Sequence, residues 1–386
     1  MNNYGNETAG TAATIDQDSL YSWLKLLHTP GLGARTFHLL LENFGTVEAI
    51  FNARPDQLNK LKLKADLTSA IHQAIDNDIS ADQAWLENEH HHVIHLHDPR
   101  YPESLKRLDD SPPLLYVRGD PDYLRQPQLA MVGSRNPSAA GRNTAKEFAR
   151  HLADAGITIT SGLASGIDGA SHEGALLGLA GTVAVVAHGL DIVYPAQHQK
   201  LAQQIAQQGA VISEMPIGTQ LHPGLFPRRN RIISALTLGT LVVEAARKSG
   251  SLITARLAIE QNKEVFAIPG SIHNPMARGC HQLIREGAKL VETAQDILEE
   301  LRFDTQNNPS YPPKQQANMH EKAKDLPQTL DPDHQKLLKC LAYEPASIDE
   351  LVMNSEFNAA EIASMLLIME LEGIIVCQDG RYTCVT

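Results

Sequence analysis

The sequence predicts a doubly wound α/β fold with a helical module before it and a winged helix after it, and three patterns carry that expectation. Between Val93 and about Leu301, short fully apolar runs alternate with helical periodicity, a βαβ rhythm that implies parallel strands covered on both faces. From Leu20 to about Ile94 the pattern is helical throughout, with two helices joined at His28-Thr29-Pro30-Gly31-Leu32-Gly33. From Pro332 onward, three helical patterns precede two short strands.

Taken in order, residues 1–18 are polar, lack the basic start and apolar centre of a signal segment, and read as a mobile tail. Residues 19–95 read as a SAM-like, helix-hairpin-helix module. Its Gly31-Leu32-Gly33 turn either presents backbone N–H groups to a DNA phosphate or closes a small helical cap on the next domain, and the second is the commoner use of such a turn. Within 96–301, strands are expected at Leu129–Gly133, Ile157–Ser161, Thr182–Ala187, Val211–Ser213, Leu241–Glu244 and Val265–Ile268. Helices are expected at Arg142–Asp154, Gly169–Leu179, Gln197–Gln208 and Leu252–Gln261, with another opening at Arg231. Residues 302–328 are polar and Pro-rich and read as a linker. Residues 329–386 give helices at Pro332–Ala342, Ser347–Met353 and Asn358–Glu372, then strands at Gly373–Cys377 and Arg381–Cys384 around an Asp379-Gly380 turn.

Composition narrows the function classes. With 386 residues, 42% of them hydrophobic and 20% charged, the chain can bury sizeable cores. Its longest apolar runs, such as Gly181–Ala187 and Gly239–Ala246, fall far short of the roughly 20 residues that span a bilayer. Cys280, Cys340, Cys377 and Cys384 match neither a zinc-ligand spacing nor a disulfide framework, so a reducing cytoplasmic location is expected. The run His90-His91-His92 with His95 and His97 reads as a polar helix end leading into a strand, and no metal or cofactor is expected. The net charge of -12 argues against nucleic acid on average, but residues 131–290 hold 15 Lys+Arg against 10 Asp+Glu. That stretch can hold an anion.

Ligands of doubly wound sheets bind where strands end and helices begin, so the strand-end loops are the candidates. The first is Gly133-Ser134-Arg135-Asn136-Pro137, which offers close backbone approach, a hydroxyl and a guanidinium able to grip phosphate. It is not a dinucleotide fingerprint, because Arg135 and Pro137 stand where small residues would be needed. The second, Thr160-Ser161-Gly162-Leu163-Ala164-Ser165-Gly166-Ile167-Asp168, has glycines that can expose N–H groups and an Asp168 placed as a helix N-cap. Phe226-Pro227-Arg228-Arg229-Asn230-Arg231 sets three arginines beside an aromatic ring, which suits the backbone and a stacked base of a single strand, the alternative being a solvated helix start with salt bridges. Glu244-Ala245-Ala246-Arg247-Lys248-Ser249-Gly250-Ser251 again places base, hydroxyl and glycine ahead of a helix.

In order and spacing, these loops resemble the DprA/Smf (DNA-processing protein A) family. The likeness runs from about Tyr101 to Val291 through Gly133-Ser134-Arg135, Ser161-Gly162-Leu163-Ala164, Gly189-Leu190-Asp191 with Tyr194-Pro195, Ser213-Glu214, Arg229-Asn230-Arg231-Ile232-Ile233, Ser249-Gly250-Ser251-Leu252-Ile253-Thr254 and Pro269-Gly270-Ser271. The resemblance implies an extended Rossmann-like domain that binds single-stranded DNA, pairs as a homodimer, and mediates recombination without catalysing a reaction. It further implies protection of incoming DNA and loading of the RecA recombinase during natural transformation. Carried onto this chain, Ser134 and Arg135 would hold phosphate, Phe226 would stack or wedge, and Arg229, Asn230 and Arg231 would line the same groove. Gly133, Ser161, Gly162, Ser165, Lys248, Ser249 and Gly250 complete the expected nucleic-acid-binding set. Ser165 replaces a lysine frequent in the family, so one cationic contact is missing or supplied by Lys200 or Lys248. His281 stands where the family often has Asn, a substitution expected to be tolerated.

The C-terminal module departs from a DNA-reading winged helix. Residues 329–386 carry 3 Lys+Arg and 10 Asp+Glu, so phosphate would be repelled. In its third helix Ile362, Met365, Leu366 and Met369 fall at core spacing, and a protein-contact surface is the alternative use of that stripe. A rival for the whole chain is a nucleotide-processing, phosphoribohydrolase-type enzyme, echoed by Gly239-Thr240 and Glu244. It lacks a preceding Pro-Gly-Gly run and a convincing acid–base pair.

Overall fold

Apolar residues on successive strand positions force each strand to find cover on both faces. The computed structural model describes residues 17–303, 331–341, 346–378 and 380–384. The tail expected over 1–18 and the linker expected over 302–328 lie almost wholly outside the described residues, as does Asp379 of the hairpin turn. The N-terminal helices are α1 (Gln17–Leu27), α2 (Ala34–Phe44), α3 (Val47–Phe51), α4 (Pro55–Lys60), α5 (Ala65–Gln73) and α6 (Ser80–Leu86). The central unit follows with β1 (His91–His95), α7 (Glu103–Lys106), β2 (Leu114–Gly119), β3 (Gln128–Val132), α8 (Ala139–Asp154), β4 (Thr158–Ser161), α9 (Ile167–Ala175) and β5 (Thr182–Val185). It continues through α10 (Gln199–Gln207), β6 (Gly209–Ser213), α11 (Leu225–Leu236), β7 (Gly239–Val242), α12 (Ser251–Glu260), β8 (Glu264–Ala267), α13 (Arg278–Arg285), β9 (Lys289–Leu290) and α14 (Ala294–Glu300).

The strands form one nine-stranded sheet in the order β1-β2-β6-β5-β4-β3-β7-β8-β9. Strands β3 to β9 are parallel, but β2 pairs antiparallel with β6 and β1 antiparallel with β2. The expectation of a parallel sheet is therefore corrected at one edge, where the lead-in before β3 adds two strands. After β6 the chain returns to place β7 beside β3, so the order reverses between those two strands. Loops leaving their carboxyl ends must diverge, opening a crevice there.

Alternation along the strands assigns the two faces. Leu129, Met131, Ile159, Leu241 and Phe266 pack with α8, α9 and α14, whereas Ala130, Val183, Val185 and Ile212 pack with α11 and α7. Val132, Val242, Val265 and Ala267 meet α12 and α13. The N-terminal helices are not a separate body, because Trp23, Leu24 and Phe37 share one buried core with Tyr116, Ala184 and Val211. Trp23 stacks on His95 at 4.7 Å between centroids, and buried Asp82 accepts from Tyr116 Oη at 2.5 Å while its other oxygen lies 2.8 Å from His28 Nε2.

The C-terminal module consists of α15 (Pro332–Leu341), α16 (Ile348–Asn354), α17 (Ala359–Leu371) and the antiparallel pair β10 (Ile375–Gln378) and β11 (Arg381–Cys384). Ile362, Met365, Leu366 and Met369 are buried in its own core with Leu337, Leu338 and Leu351. Among the described residues no helix is long and apolar enough to cross a membrane.

Candidate nucleic-acid interface

The crevice at the β3/β7 switch is a groove of about 530 Å³. Its walls come from the loops after β3 and β7 and from the start of α11. Gly133 closes β3 where a Cβ would meet Ile167 Cγ1 at 2.6 Å, so only glycine fits. Ser134 is then fixed by both backbone groups: its N–H donates to Glu244 O at 2.7 Å and its carbonyl accepts from Ile167 N at 3.1 Å. This clamp projects Arg135 outward, exposed, with its Cζ 5.3 Å from the Phe226 ring centroid. Tyr194 stands 6.1 Å from the same ring, giving a guanidinium and two aromatic rings along one wall.

The opposite wall is the start of α12. Ser249, Gly250, Ser251 and Thr254 line the groove there, and Ser249 Oγ lies 2.7 Å from Ser251 Oγ. The positive end of the α12 dipole therefore faces the groove. Asn230 and Phe226 also line it, whereas Lys248 is exposed but outside the lining, and Lys200 sits exposed on α10. Ser165 borders a small cleft beside the groove, with its Oγ accepting from Gln197 Nε2 at 3.0 Å. His281 Nε2 lies 2.9 Å from Gly270 O.

Several expected contacts belong to the interior instead. Helix α11 begins at Leu225 rather than at Arg231, with Pro227 tolerated in its first turn. Consecutive arginines consequently radiate around a helix instead of fanning across a loop. Arg229 is buried in the groove floor, where its guanidinium donates to Val185 O and faces Asp168. Burial lowers its pKa to about 10, with Asp168 opposing the shift, so it remains cationic at neutral pH. Arg231, expected to line the groove, is turned away from it and donates to the buried Glu214 carboxylate, with Asp110 at 3.4 Å. Arg228, half exposed, reaches the same Glu214 at 3.2 Å. Burial raises the Glu214 pKa, and Arg231 and Arg228 hold it down.

The loop after β4 is likewise corrected. Ser161 is buried and donates through Oγ to Met131 O at 2.6 Å, so its hydroxyl serves the sheet. Asp168 is not an N-cap. It sits inside α9, and its Oδ2 accepts from Gly162 N at 3.1 Å and Ala164 N at 3.3 Å. Those two N–H groups are satisfied by the protein itself and are not offered to an anion. Burial raises the Asp168 pKa, with Arg229 the main opposing influence. Glu244, the residue that echoed a hydrolase acid, accepts from Ser138 N at 2.9 Å and Ser138 Oγ at 2.7 Å and so anchors the start of α8.

Tyr194, Pro223, Ile253 and Thr254 also line the groove and were not among the expected site residues. Tyr194 had a signal, since it is an aromatic in the loop past β5 within a motif already singled out. Ile253 and Thr254 had one too, since they stand in the Ser249-Gly250-Ser251-Leu252-Ile253-Thr254 motif, whereas Pro223 had none.

A family model described as DNA recombination-mediator protein A matches residues 92–302, more than half of the chain. The chain belongs to that family. Further models for a DprA winged helix domain and a DprA-like N-terminal HHH domain match residues 321–381 and 17–81. Protein Smf of Escherichia coli K12 is 41% identical over 311 residues, covering 79% of this chain and 80% of that protein. The DNA processing protein DprA of Streptococcus pneumoniae R6 is 44% identical over 206 residues, 53% of this chain and 73% of the relative. An X-ray structure of DprA from Streptococcus pneumoniae superposes with a TM-score of 0.65 at 34% identity, covering 75% of this chain and 99% of that one. A Helicobacter pylori DprA structure, described as revealing a single-stranded DNA binding mode, superposes with a TM-score of 0.51 at 31% identity over 55% of this chain and 95% of that one. Every groove residue of this DprA-family chain, from Val132 to Thr254, falls inside the recombination-mediator match.

Proposed function

We propose that this DprA-family protein binds single-stranded DNA in the β3/β7 groove and acts as a recombination mediator that turns over no substrate. The observation that carries the reading is the wall in which the Arg135 guanidinium lies 5.3 Å from the Phe226 ring with Tyr194 beside it. A cation next to stackable rings suits a phosphodiester with a splayed base, and it reads no base edge. The dipole end of α12 across the groove adds a second anion-favouring element. Within this proposal Gly133, Arg135, Phe226, Asn230, Ser249 and Gly250 face the strand, and Arg229 contributes charge from the floor. Loading of RecA, protection of incoming DNA during natural transformation, homodimerisation through the Rossmann-like domain and a cytoplasmic location are part of the same proposal, and family membership supports them.

A phosphoribohydrolase-type reading loses its acid, because both Glu244 oxygens are engaged by Ser138 at the start of α8. The test is fluorescence anisotropy of a labelled single strand against its duplex across a salt series, without metal or nucleotide. Tight, salt-sensitive binding that favours the single strand is expected. Equal affinity for both forms, or no binding at low salt, would overturn the proposal.

A further inference from the structure

We propose a second, separate anion site at the opposite edge of the sheet, built around Arg118 and made for a phosphate-sized oxyanion. Arg118 is partly buried on β2, and among the described residues no carboxylate forms an ion pair with it. Its Nε is buried without a hydrogen-bond partner, and its Nη2 makes one long contact, 3.4 Å, to Ala202 O. The other deeply placed guanidiniums are compensated, Arg229 by Asp168 and Arg231 by Glu214. An uncompensated guanidinium lowered in pKa by burial is costly unless an anion completes it.

The surroundings are shaped to supply that anion from outside. Arg118 lines a concavity of about 840 Å³ with His90, His91, His92, Gln203 and Gln207. His91 is the register partner of Arg118 across β1 and β2, so the two side chains share a face. Its ring stacks on Trp85 at 4.1 Å and donates through Nδ1 to Trp85 O at 2.8 Å, which fixes it beside the guanidinium. Gln203 and Gln207 of α10 bring amide donors from the other side. Asp120, also on the wall, accepts from Asp122 N through Oδ1 at 2.9 Å and is exposed to solvent, which screens its charge. Because Gly119 at the end of β2 pairs with Ala210 at the start of β6, this concavity lies at the sheet edge away from the β3/β7 groove. It does not depend on the groove binding DNA.

The test uses the full-length protein and inorganic phosphate, read by thermal melting against chloride at matched ionic strength. Phosphate should raise Tm saturably in the wild type, and Arg118→Met should weaken the apparent phosphate affinity about tenfold or more, the scale of one charge-assisted contact. Gln203→Glu keeps Arg118 and supplies an internal counter-ion, so it should raise the phosphate-free Tm and abolish the phosphate response. No response in the wild type, or the same response in all three proteins, overturns the site. A parallel single-strand titration of Arg118→Met separates two sources of the oxyanion: unchanged affinity assigns the site to small phosphorylated ligands, and lowered affinity assigns it to backbone phosphate of nucleic acid.

Discussion

The Arg229 guanidinium occupies the space that a side chain at Gly162 would need, since a Cβ there would fall 2.2 Å from Nη1 and 2.4 Å from Nη2. The Ser-Gly-Leu-Ala loop and the arginine-rich segment are therefore one packed unit. Gly162→Ala is expected to destabilise the protein by about 1–3 kcal/mol, the usual cost of overpacking. Urea unfolding checks it, and an unchanged midpoint would show that Arg229 can move aside without penalty.

Arg135 is the exposed cation of the groove wall and is free of such duties. Arg135→Ala should leave Tm within experimental error, weaken single-strand affinity by about 1–3 kcal/mol, and reduce the salt slope by about 0.7. Phe226→Ala should weaken binding by about 1–3 kcal/mol while leaving the salt slope intact, as expected for a lost stacking partner. Anisotropy titrations at several salt concentrations separate the two, and a slope change with Phe226→Ala would contradict the division of roles.

Arg231 predicts the reverse pattern. Arg231→Ala leaves the Glu214 carboxylate buried with only the half-exposed Arg228 beside it. Breaking such a pair costs about 3–5 kcal/mol, so the variant should melt well below the wild type. Under conditions where it remains folded, its salt slope for single strands should equal that of the wild type.

Buried His172 sets an acid limit. Its Nδ1 lies 2.7 Å from Thr182 Oγ1, which itself donates to Ile159 O, and burial lowers its pKa to about 3. A folded pKa below the unfolded value of 6.5 means the unfolded state binds the proton first. Stability should be complete above about pH 6.5 and decline as pH falls toward 3, by up to about 1.4 kcal/mol per pH unit from this group. His172→Asn retains a donor toward Thr182 without titrating, and melts from pH 5 to 7.5 should show a shallower decline in that variant.

The strands and the βαβ order were legible because continuous apolar runs and helical periodicity are local signals. Arg231 shows where legibility stopped. The helix expected to open there begins at Leu225, and Pro227 hid that start because proline reads as a break although a first turn accepts it. Once the helix is extended by six residues, side-chain direction decides which arginine meets solvent, and direction depends on Glu214 and Asp168 from distant loops. Asp168 failed for a related reason: its place in the first turn is local, but its partners Gly162 and Ala164 depend on how the preceding loop folds back. Arg135 and Phe226 were readable as residue types for DNA, while their proximity came only from the crossing of β3 and α11 loops.

The shared core of the N-terminal helices and the sheet also bears on how the chain is made. Trp23, Leu24 and Phe37 bury their apolar faces partly against Tyr116, Ala184 and Val211. Synthesis proceeds from the N-terminus, so the first helices leave the ribosome with that face uncovered until the strand containing Val211 has followed them. The early nascent chain therefore passes through an interval of exposed hydrophobic surface, and chaperone demand should be greatest before residue 211 emerges.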